Sequence, residues 1–402
     1  MSDDLGPNGQ DHTMTSVDVL VDQEERDLRH EARRAAEPFL GRAEENDRLG
    51  RFPEENFADL RRAGLLALTL PRHLDGRGAS YAGFNMVAEE IARADASTCL
   101  CFTMHCAGVD ALANGNDEQQ RHCARLVHDG AVFTMVFSEP GSGAHFLQPQ
   151  MTASPVEGGY RLNGRKSFAT SAGGADLVVI NAVVDGTDDG AFTLFVVEPK
   201  ANPGIEVTGR WDAMGMRAND SRSLSFADAF VPVADRLGAV GEGRELATGR
   251  PSHIALGLAA CSVGIASAAV DMAAAHAASR VIAPGTEPVA AYQGIQFLMA
   301  EMAMATTAMS LMALRAARTA DHRPEEAGLA LTQAKAFCNE QGLAVANNAL
   351  QVVGGRGYLR GHQAERLVRD ARAGDLMALT AQQCREVLGR HVLGLDRPPP
   401  AD

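Results

Sequence analysis

The sequence predicts an α+β protein that is mainly helical, with one β domain placed between two helical domains. Apolar residues recur at three- and four-residue spacing from about residue 17 to 130 and again from 241 to 394, whereas the period is two between residues 131 and 240. This order differs from the regular strand–helix alternation of a doubly wound sheet. At 402 residues the chain also exceeds the usual size of a single hydrophobic core. We therefore predict three domains with these bounds (17–130, 131–240 and 241–394), a disordered leader (1–16) and a tail (395–402).

The N-terminal domain is predicted from three segments of helical period. "DQEERDLRHEARRAAEPFLGRAEE" is amphipathic and charged, "FPEENFADLRRAGLLAL" starts after Phe52-Pro53, and "SYAGFNMVAEEIARADAS" repeats apolar residues at helical spacing. The segment "LPRHLDGRGAS" between the last two is typical of a loop.

The β domain is predicted from five segments of alternating character. They are "VFTMVF", "YRLNGRKSFAT", "DLVVINAVV", "AFTLFVVE" and "SRSLSFADAFVP". Asn163-Gly164 is a dipeptide typical of two-residue hairpin turns, because both turn positions need positive φ. We therefore predict a hairpin turn there.

The C-terminal domain is predicted from helical period between Glu242 and Arg390, in segments rich in alanine and methionine that are typical of a bundle core. Ile254–Val270 is uncharged but slightly shorter than the roughly 20 residues that a membrane span needs. Its small residues favour a helix packed tightly inside the bundle, so no membrane span is predicted.

Composition excludes several classes of partner. A net charge of −14 without a long basic run disfavours nucleic acid or an acidic membrane surface as the primary partner. Seven cysteines, an odd number, favour reduced thiols over a disulfide framework, and residues 1–16 lack the apolar core of a signal peptide. We expect a cytoplasmic protein. Its richness in alanine, glycine and arginine is typical of a bacterial gene of high GC content.

The common nucleotide, phosphate and hydrolase motifs are absent from the sequence. It has no G-x-G-x-x-G after a predicted strand, no G-x-x-x-x-G-K-[ST], no H-E-x-x-H and no G-x-S-x-G. His105-Cys106 and His122-Cys123 match no common zinc spacing, and their apolar neighbours favour buried side chains. No metal site is predicted.

The segment "SEPGSGAH" (138–145) is the clearest candidate for a ligand loop, because it directly follows a predicted strand. Its glycines allow positive φ and let backbone N–H groups approach a ligand closely, and its proline fixes the start of a turn. The same residues also suit an ordinary turn. The sequence segments on either side must therefore show whether this is a ligand loop or a turn.

Five segments, in order, resemble the acyl-CoA dehydrogenase superfamily of flavoproteins. They are "AGLLALTLPRHLDGRGAS…AEEIARADAST", "MVFSEPGSGAH", "LNGRKSFATSAGGAD", "WDAMGMRANDSRSLSFADAFVP" and "QVVGGRGYLRGHQAERLVRDARAG", and the resemblance covers about Gln23 to Gly389. It implies an N-terminal helical domain, a central β-barrel-like domain and a C-terminal four-helix bundle. It also implies bound FAD, α,β-desaturation of an acyl thioester with hydride transfer to the flavin, a possible electron-transfer flavoprotein partner, and a homotetramer or homodimer.

The resemblance further implies a cofactor site built by two subunits. The matching residues of the flavin loop and the adjacent strand are Val136, Ser138, Gly143, Ala144, Phe168 and Thr170. Arg280, Gln293, Gln351, Gly354 and Gly355 are expected to reach a neighbour's FAD, with Thr380 and Gln382 near the pyrophosphate and adenosine. Each position also has a plain structural interpretation: a hairpin core residue for Phe168, a solvated helix end for Arg280 and helix termination for the glycines.

The family's catalytic base has no equivalent in this sequence. Desaturation needs a base for the α-proton, and in the family a glutamate followed by Gly-Thr lies just beyond "RDAR". Here Ala378 and Leu379 stand there, so only a backbone N–H remains, and the minority position of the base falls on Ile254. Substitutes near these positions are His253 and Asp375, followed by His145, Glu139 and His105.

A second departure concerns the carrier of the acyl group. The family's arginine for coenzyme A is absent near Ala255, so either Arg250 substitutes for it or the thioester arrives on a carrier protein. Two other functions remain open at this point. One is a flavin-dependent monooxygenase or oxidase, in which a base is dispensable, and the other is a non-catalytic scaffold, against which the retained flavin loop argues.

Overall fold

The computed structural model describes residues 17–143, 145–187 and 190–395. Within these ranges an N-terminal group of helices is followed by a sheet and then by a second group of helices, which confirms the predicted order. The predicted leader, Ala144 and all but the first residue of the predicted tail lie outside the described residues.

Five α-helices form the N-terminal part. They are α1 (Gln23–Leu49), α2 (Glu54–Arg62), α3 (Tyr81–Ala94), α4 (Ala96–Ala111) and α5 (Asp117–His128). The first begins at a capping box, in which the Asp22 and Glu25 side chains each accept the other's backbone N–H. It ends at Gly50, whose φ of 59° is the usual left-handed stop. Because α3 and α4 are almost fully buried, they form the core that joins the other two parts.

Eight strands form the central sheet. They are β1 (Phe133–Val136), β2 (Thr152–Val156), β3 (Gly159–Ala169), β4 (Leu177–Val184), β5 (Thr193–Val197), β6 (Ile205–Thr208), β7 (Arg222–Pro232) and β8 (Arg236–Leu237). Their order is β6-β7-β3-β2-β4-β5-β8, with β1 parallel to β4. The predicted central β domain is confirmed, and its sheet is not a closed barrel, since no pairing joins β6 to β8 within the described residues.

The predicted hairpin turn at Asn163-Gly164 is wrong. These residues lie inside β3, whose turn to β2 falls instead at Glu157-Gly158. The ladder between β3 and β7 shifts register at Leu162/Gly164, and Gly164 has φ 141°. A Cβ there would lie 3.0 Å from Met151 Cγ. The glycine therefore lies at a bulge, where its positive φ and the close approach of Met151 both disfavour a side chain.

Six helices form the C-terminal part. They are α6 (Gly243–Thr248), α7 (His253–Ser279), α8 (Gln293–His322), α9 (Ala327–Val353), α10 (Gln363–Gly374) and α11 (Ala381–Val392). Helices α7, α8 and α9 pack on one another, while α10 and α11 pack on α9. The segment Ile254–Val270 lies inside α7, which is also packed against α3 and α4, as its small residues predicted.

Three of the described helical segments are long and apolar enough, by length and composition alone, to cross a membrane. They are Ala96–Asn114, Gly243–Ser279 and Gln293–His322, of which the sequence analysis singled out only the second. The most apolar windows of the first two are 83% buried inside the protein, whereas that of the third is 33% buried. The apolar surface of α8 is therefore largely uncovered in a single chain.

Candidate active site

A buried ion pair anchors the predicted ligand loop. Lys166 Nζ lies 2.6 Å from both Glu139 Oε1 and Asn181 Oδ1, and Lys166 is fully buried. The Glu139 carboxylate also accepts the backbone N–H groups of Gln150 and Met151, at 2.7 and 3.2 Å. Burial lowers the pKa of Lys166 to about 8, although Glu139 acts in the opposite direction. Since its carboxylate is fully engaged in this network, Glu139 is not the missing base.

The loop itself presents open backbone next to the sheet. Gly141 and Gly143 have φ of 83° and 52°, and a Cβ at either position would have no atom within 4 Å. The Ser167 N–H donates to Ser138 O at 2.9 Å, which ties the loop to β3, and Val136 is buried at the end of β1. The structure thus places Val136 at the end of β1 and ties Ser138 to β3, at the start of the loop that carries Gly143.

Phe168 is turned out of the sheet into an exposed position. Its φ is 53°, in the left-handed region that non-glycine residues rarely adopt, and it lies in a register shift between Lys166 and Ala169. The residue is 69% exposed, so it is not a hairpin core residue. Its ring meets that of Trp211 edge to face, with centroids 6.3 Å apart. Backbone strain that displays an aromatic ring beside an open loop is typical of a ligand site.

Polar groups on the residues that flank Phe168, in β3 and directly after it, suit a polar cofactor. Thr170 Oγ1 lies 3.1 Å from Ser221 Oγ, and the Thr170 carbonyl accepts the Thr134 hydroxyl at 2.8 Å. The buried Ser167 Oγ has no hydrogen-bond partner among the described residues. An exposed aromatic face, open glycine backbone and a spare hydroxyl together fit a flavin ring with its amide edges.

The other predicted cofactor residues lie on the C-terminal helices. Gln351, Gly354 and Gly355 line a surface groove at the end of α9 together with Asn347, Asn348, Leu350 and Tyr358. Gln293 begins α8 and Arg280 caps α7, both exposed, while Thr380 caps α11 and is followed by the exposed Gln382. The two glycines follow the end of α9 and also leave the groove open, since a Cβ at either would meet no atom within 4 Å.

The candidate base His253 lies at the first position of α7. Its ring stacks on Tyr81 (centroids 4.4 Å apart, 19° between planes) and meets the edge of Phe84. Its Nδ1 lies 3.8 Å from Asp110 Oδ2 and is buried without a hydrogen bond among the described residues. Desolvation alone would raise the pKa of Asp110, but His253 and Arg250 outweigh it and lower this pKa. Asp110 is therefore a carboxylate that faces the imidazole.

The remaining base candidates are arranged differently. His105 is fully buried, and its nitrogens bond Leu66 O (2.7 Å) and the Phe133 N–H (3.0 Å). Burial lowers its pKa to about 4, so it is a neutral structural residue rather than a base at the pocket. Asp375 forms an ion pair with Arg372 at 2.7 Å, and His145 is exposed in the loop. Ala378 is exposed with φ 52° and brings no acid to the site.

Comparison with known proteins identifies the family. Models of the acyl-CoA dehydrogenase N-terminal, middle and C-terminal domains match residues 22–130, 134–229 and 241–393. The chain belongs to the acyl-CoA dehydrogenase family. Members of this family depend on FAD.

Individual relatives match along almost the whole chain. A Bacillus subtilis protein named "Probable acyl-CoA dehydrogenase YngJ" is 31% identical over 361 residues, which cover 87% of this chain and 93% of the relative. The short-chain specific acyl-CoA dehydrogenase of Bos taurus mitochondria is 30% identical, over 86% of this chain and 84% of its own. Butyryl-CoA dehydrogenase from Megasphaera elsdenii shares the fold, with a TM-score of 0.86, 24% identity, and coverage of 93% of this chain and 99% of its own.

Sequence reasoning missed three features of this acyl-CoA dehydrogenase family site. Lys166 is the buried partner of Glu139, Asp110 faces His253, and Trp211 contacts Phe168. Only Trp211 had a signal, as the sole tryptophan of the chain next to a motif. Lys166 is 27 residues from Glu139 in the sequence, and Asp110 is 143 residues from His253. At such separations the local sequence pattern does not predict which residues pair.

Proposed function

We propose that this protein is an FAD-dependent dehydrogenase that desaturates an acyl thioester, with coenzyme A as the carrier. The observation that carries the proposal is the match of all three family domains in order, with the exposed Phe168 ring beside the open glycine loop. Ser138, Gly143, Phe168 and Thr170 would hold the flavin ring. FAD supplies the hydride acceptor for the hydrogen that leaves the β-carbon.

His253 is the proposed base for the α-proton. Of the five candidates, His105 and Glu139 are committed to structural bonds, Asp375 pairs with Arg372, and His145 is exposed to solvent in the loop. His253 is buried and faces the carboxylate of Asp110. Asp110 Oδ2 lies 3.8 Å from Nδ1, where its negative charge would stabilise the imidazolium that forms when the ring takes a proton. With Nδ1 facing Asp110, Nε2 is the nitrogen that takes the proton.

Replacing His253 with asparagine is expected to slow flavin reduction by an acyl-CoA about 100-fold or more, the usual contribution of a general base. The measurement is anaerobic bleaching of the flavin absorbance with a panel of acyl-CoA thioesters. The matched control is His128→Asn, which replaces a histidine at the end of α5 and should leave the rate unchanged. Ala378→Glu in the His253→Asn background should restore part of the rate by returning a carboxylate to the family's position.

Two outcomes would contradict these assignments separately. Bleaching of His253→Asn at the wild-type rate would exclude His253 as the base. Wild-type protein that binds FAD but is not bleached by any thioester, and instead consumes oxygen with reduced flavin, would replace the dehydrogenase by a flavin-dependent oxygenase.

Arg250 is the proposed contact for the phosphates of the coenzyme. Its side chain is half exposed, and its Nη1 lies 3.5 Å from Asp110 Oδ1. It precedes α7, close in sequence to Ala255, where the family arginine is absent.

An electron-transfer flavoprotein is the proposed electron acceptor, since this association is typical of the family. A bacterial cytoplasm is the proposed location, supported by seven cysteines that are all free and buried.

A second copy of the chain is the proposed cover for α8. Phe297, Met304 and Leu311 are 60%, 65% and 43% exposed and recur every seven residues, so they form one apolar stripe along the helix. Gln293, a predicted contact to a neighbour's FAD, begins the same helix. A dimer or tetramer that buries this stripe would thus also complete the cofactor site.

The change Met304→Glu is expected to shift the protein from the oligomer toward the monomer, because it places a charge in the middle of the apolar stripe. Light scattering coupled to gel filtration measures the mass directly. Val233→Glu changes a similarly apolar, 49% exposed residue of the β domain and should leave the mass unchanged. A monomeric wild-type protein at micromolar concentration would refute the assembly.

A further inference from the structure

The side chain of Phe168 is not packed against its own strand. Its backbone leaves the ladder between β3 and β7 at the register shift, and 69% of the residue is exposed. An aromatic side chain with so few neighbours has no fixed orientation of its own. The Trp211 ring contacts it edge to face, with centroids 6.3 Å apart and 88° between the ring planes.

Trp211 in turn lies on a rigid segment, residues 211–217. The indole Nε1 donates to Met216 O at 3.0 Å within that segment. Arg217 donates to Asp47 O at 2.9 Å, near the end of α1, and to Ala213 O at 2.7 Å. These bonds hold the indole to the end of α1 and close the segment on itself.

Helix α10 holds the same segment from the other side. Arg369 donates to Met214 O at 2.9 Å, and Asp370 Oδ1 accepts the Met216 N–H at 2.6 Å. Gly215 lies so close to the backbone of α10 that a Cβ there would overlap the Arg369 carbonyl. Helices of the N-terminal and C-terminal parts therefore hold the segment that carries Trp211 from two sides.

We propose that Trp211 is a positioning residue for the cofactor: it holds the Phe168 ring in the orientation that covers the flavin. This inference rests on the proposed function, since it requires that FAD binds beside Phe168. It assigns to residues 211–217 a second task besides joining the domains, because any shift of this segment relative to the sheet would move the indole and release the ring.

Double-variant FAD binding tests the inference. The dissociation constant of FAD is measured by calorimetry on the purified full chain, as wild type, Trp211→Ala, Phe168→Ala and the double variant, with Trp211→Phe as a variant that keeps a ring. We expect Trp211→Ala to weaken binding about three- to tenfold, the range for one aromatic pair. Because Trp211 acts through Phe168, the double variant should bind FAD no more weakly than Phe168→Ala alone.

The unique tryptophan supplies a second readout that is independent of activity. Indole emission overlaps flavin absorption, so FAD bound next to Phe168 should quench most of the emission of the wild-type protein. Phe230→Ala is the control variant, because it removes a different exposed aromatic side chain, on β7, which the Arg161 guanidinium covers. It should leave the dissociation constant of FAD unchanged. Melting temperatures of the apo variants verify that each one folds.

The outcomes separate the inference from the proposed function. Independent, additive losses in the double variant, or wild-type affinity in Trp211→Ala, would overturn the positioning role while FAD binding stands. FAD binding without quenching would also overturn it, because it would place the flavin far from Trp211. A wild-type protein that binds no FAD would overturn the proposed function itself.

Discussion

Lys166→Met is expected to lower the free energy of unfolding by about 3–5 kcal/mol and to loosen FAD binding. The change leaves the Glu139 carboxylate buried without its cation, since Glu139 is 6% exposed and Lys166 is its partner at 2.6 Å. Removal of one member of a buried pair has this cost because the remaining charge is neither hydrated nor compensated. Since Glu139 also binds the backbone of residues 150 and 151, the whole loop from 138 to 151 should become less ordered. Urea unfolding followed by circular dichroism measures the change.

The control for this prediction is a surface pair of the same domain. Lys200 and Asp176 lie 2.8 Å apart with side chains 57% and 41% exposed, so Lys200→Met should cost less than about 1 kcal/mol. Adding Glu139→Gln to Lys166→Met removes the orphaned charge and should recover part of the loss. A cost for Lys166→Met no greater than that for Lys200→Met would show that the pair does not anchor the loop.

Asp370→Asn is expected to remove a pH dependence of stability and to stabilise the protein above pH 7 by on the order of 4 kcal/mol. Burial raises the pKa of Asp370 to about 7, against the hydrogen bond from the Met216 N–H and the charge of Arg366, which act to lower it. Between about pH 4 and 7 the folded protein therefore holds a proton that the unfolded chain has released. The stability contributed by the neutral carboxyl is complete below pH 4 and is lost as the pH rises through 7.

Unfolding free energies of wild type and Asp370→Asn at several pH values between 4 and 8 test this. The asparagine keeps an oxygen for the Met216 N–H, so the two proteins should be equally stable near pH 4 and diverge above it. Asp129→Asn, at an exposed aspartate, should follow the wild-type curve. A stability difference between the two proteins that stays constant from pH 4 to 8 would show that the pKa of Asp370 is not raised by folding, and would contradict the prediction.

The base question shows how far local sequence carries a functional prediction. The absence of a glutamate is evident from the sequence, at Ala378 in the motif "RDARAGDLMALT" and at Ile254 in "PSHIALG". Which of the nearby acids and histidines could substitute was not, because His105 and Glu139 are engaged by Leu66, Phe133 and Lys166 from other elements. Sequence lists titratable groups, whereas only their partners determine which remain available for proton transfer.

The sequence by itself determined the order of helical and β parts, the position of the glycine loop after β1 and the membership of the family. These properties depend on local period and on motifs a few residues long, which are legible in a single chain. The tertiary structure alone decided that the sheet stays open, that Asn163-Gly164 forms a bulge, and that Lys166, Asp110 and Trp211 reach Glu139, His253 and Phe168. The physical reason is that a periodic pattern specifies which face of an element is buried, but the partner on that face comes from packing between distant segments.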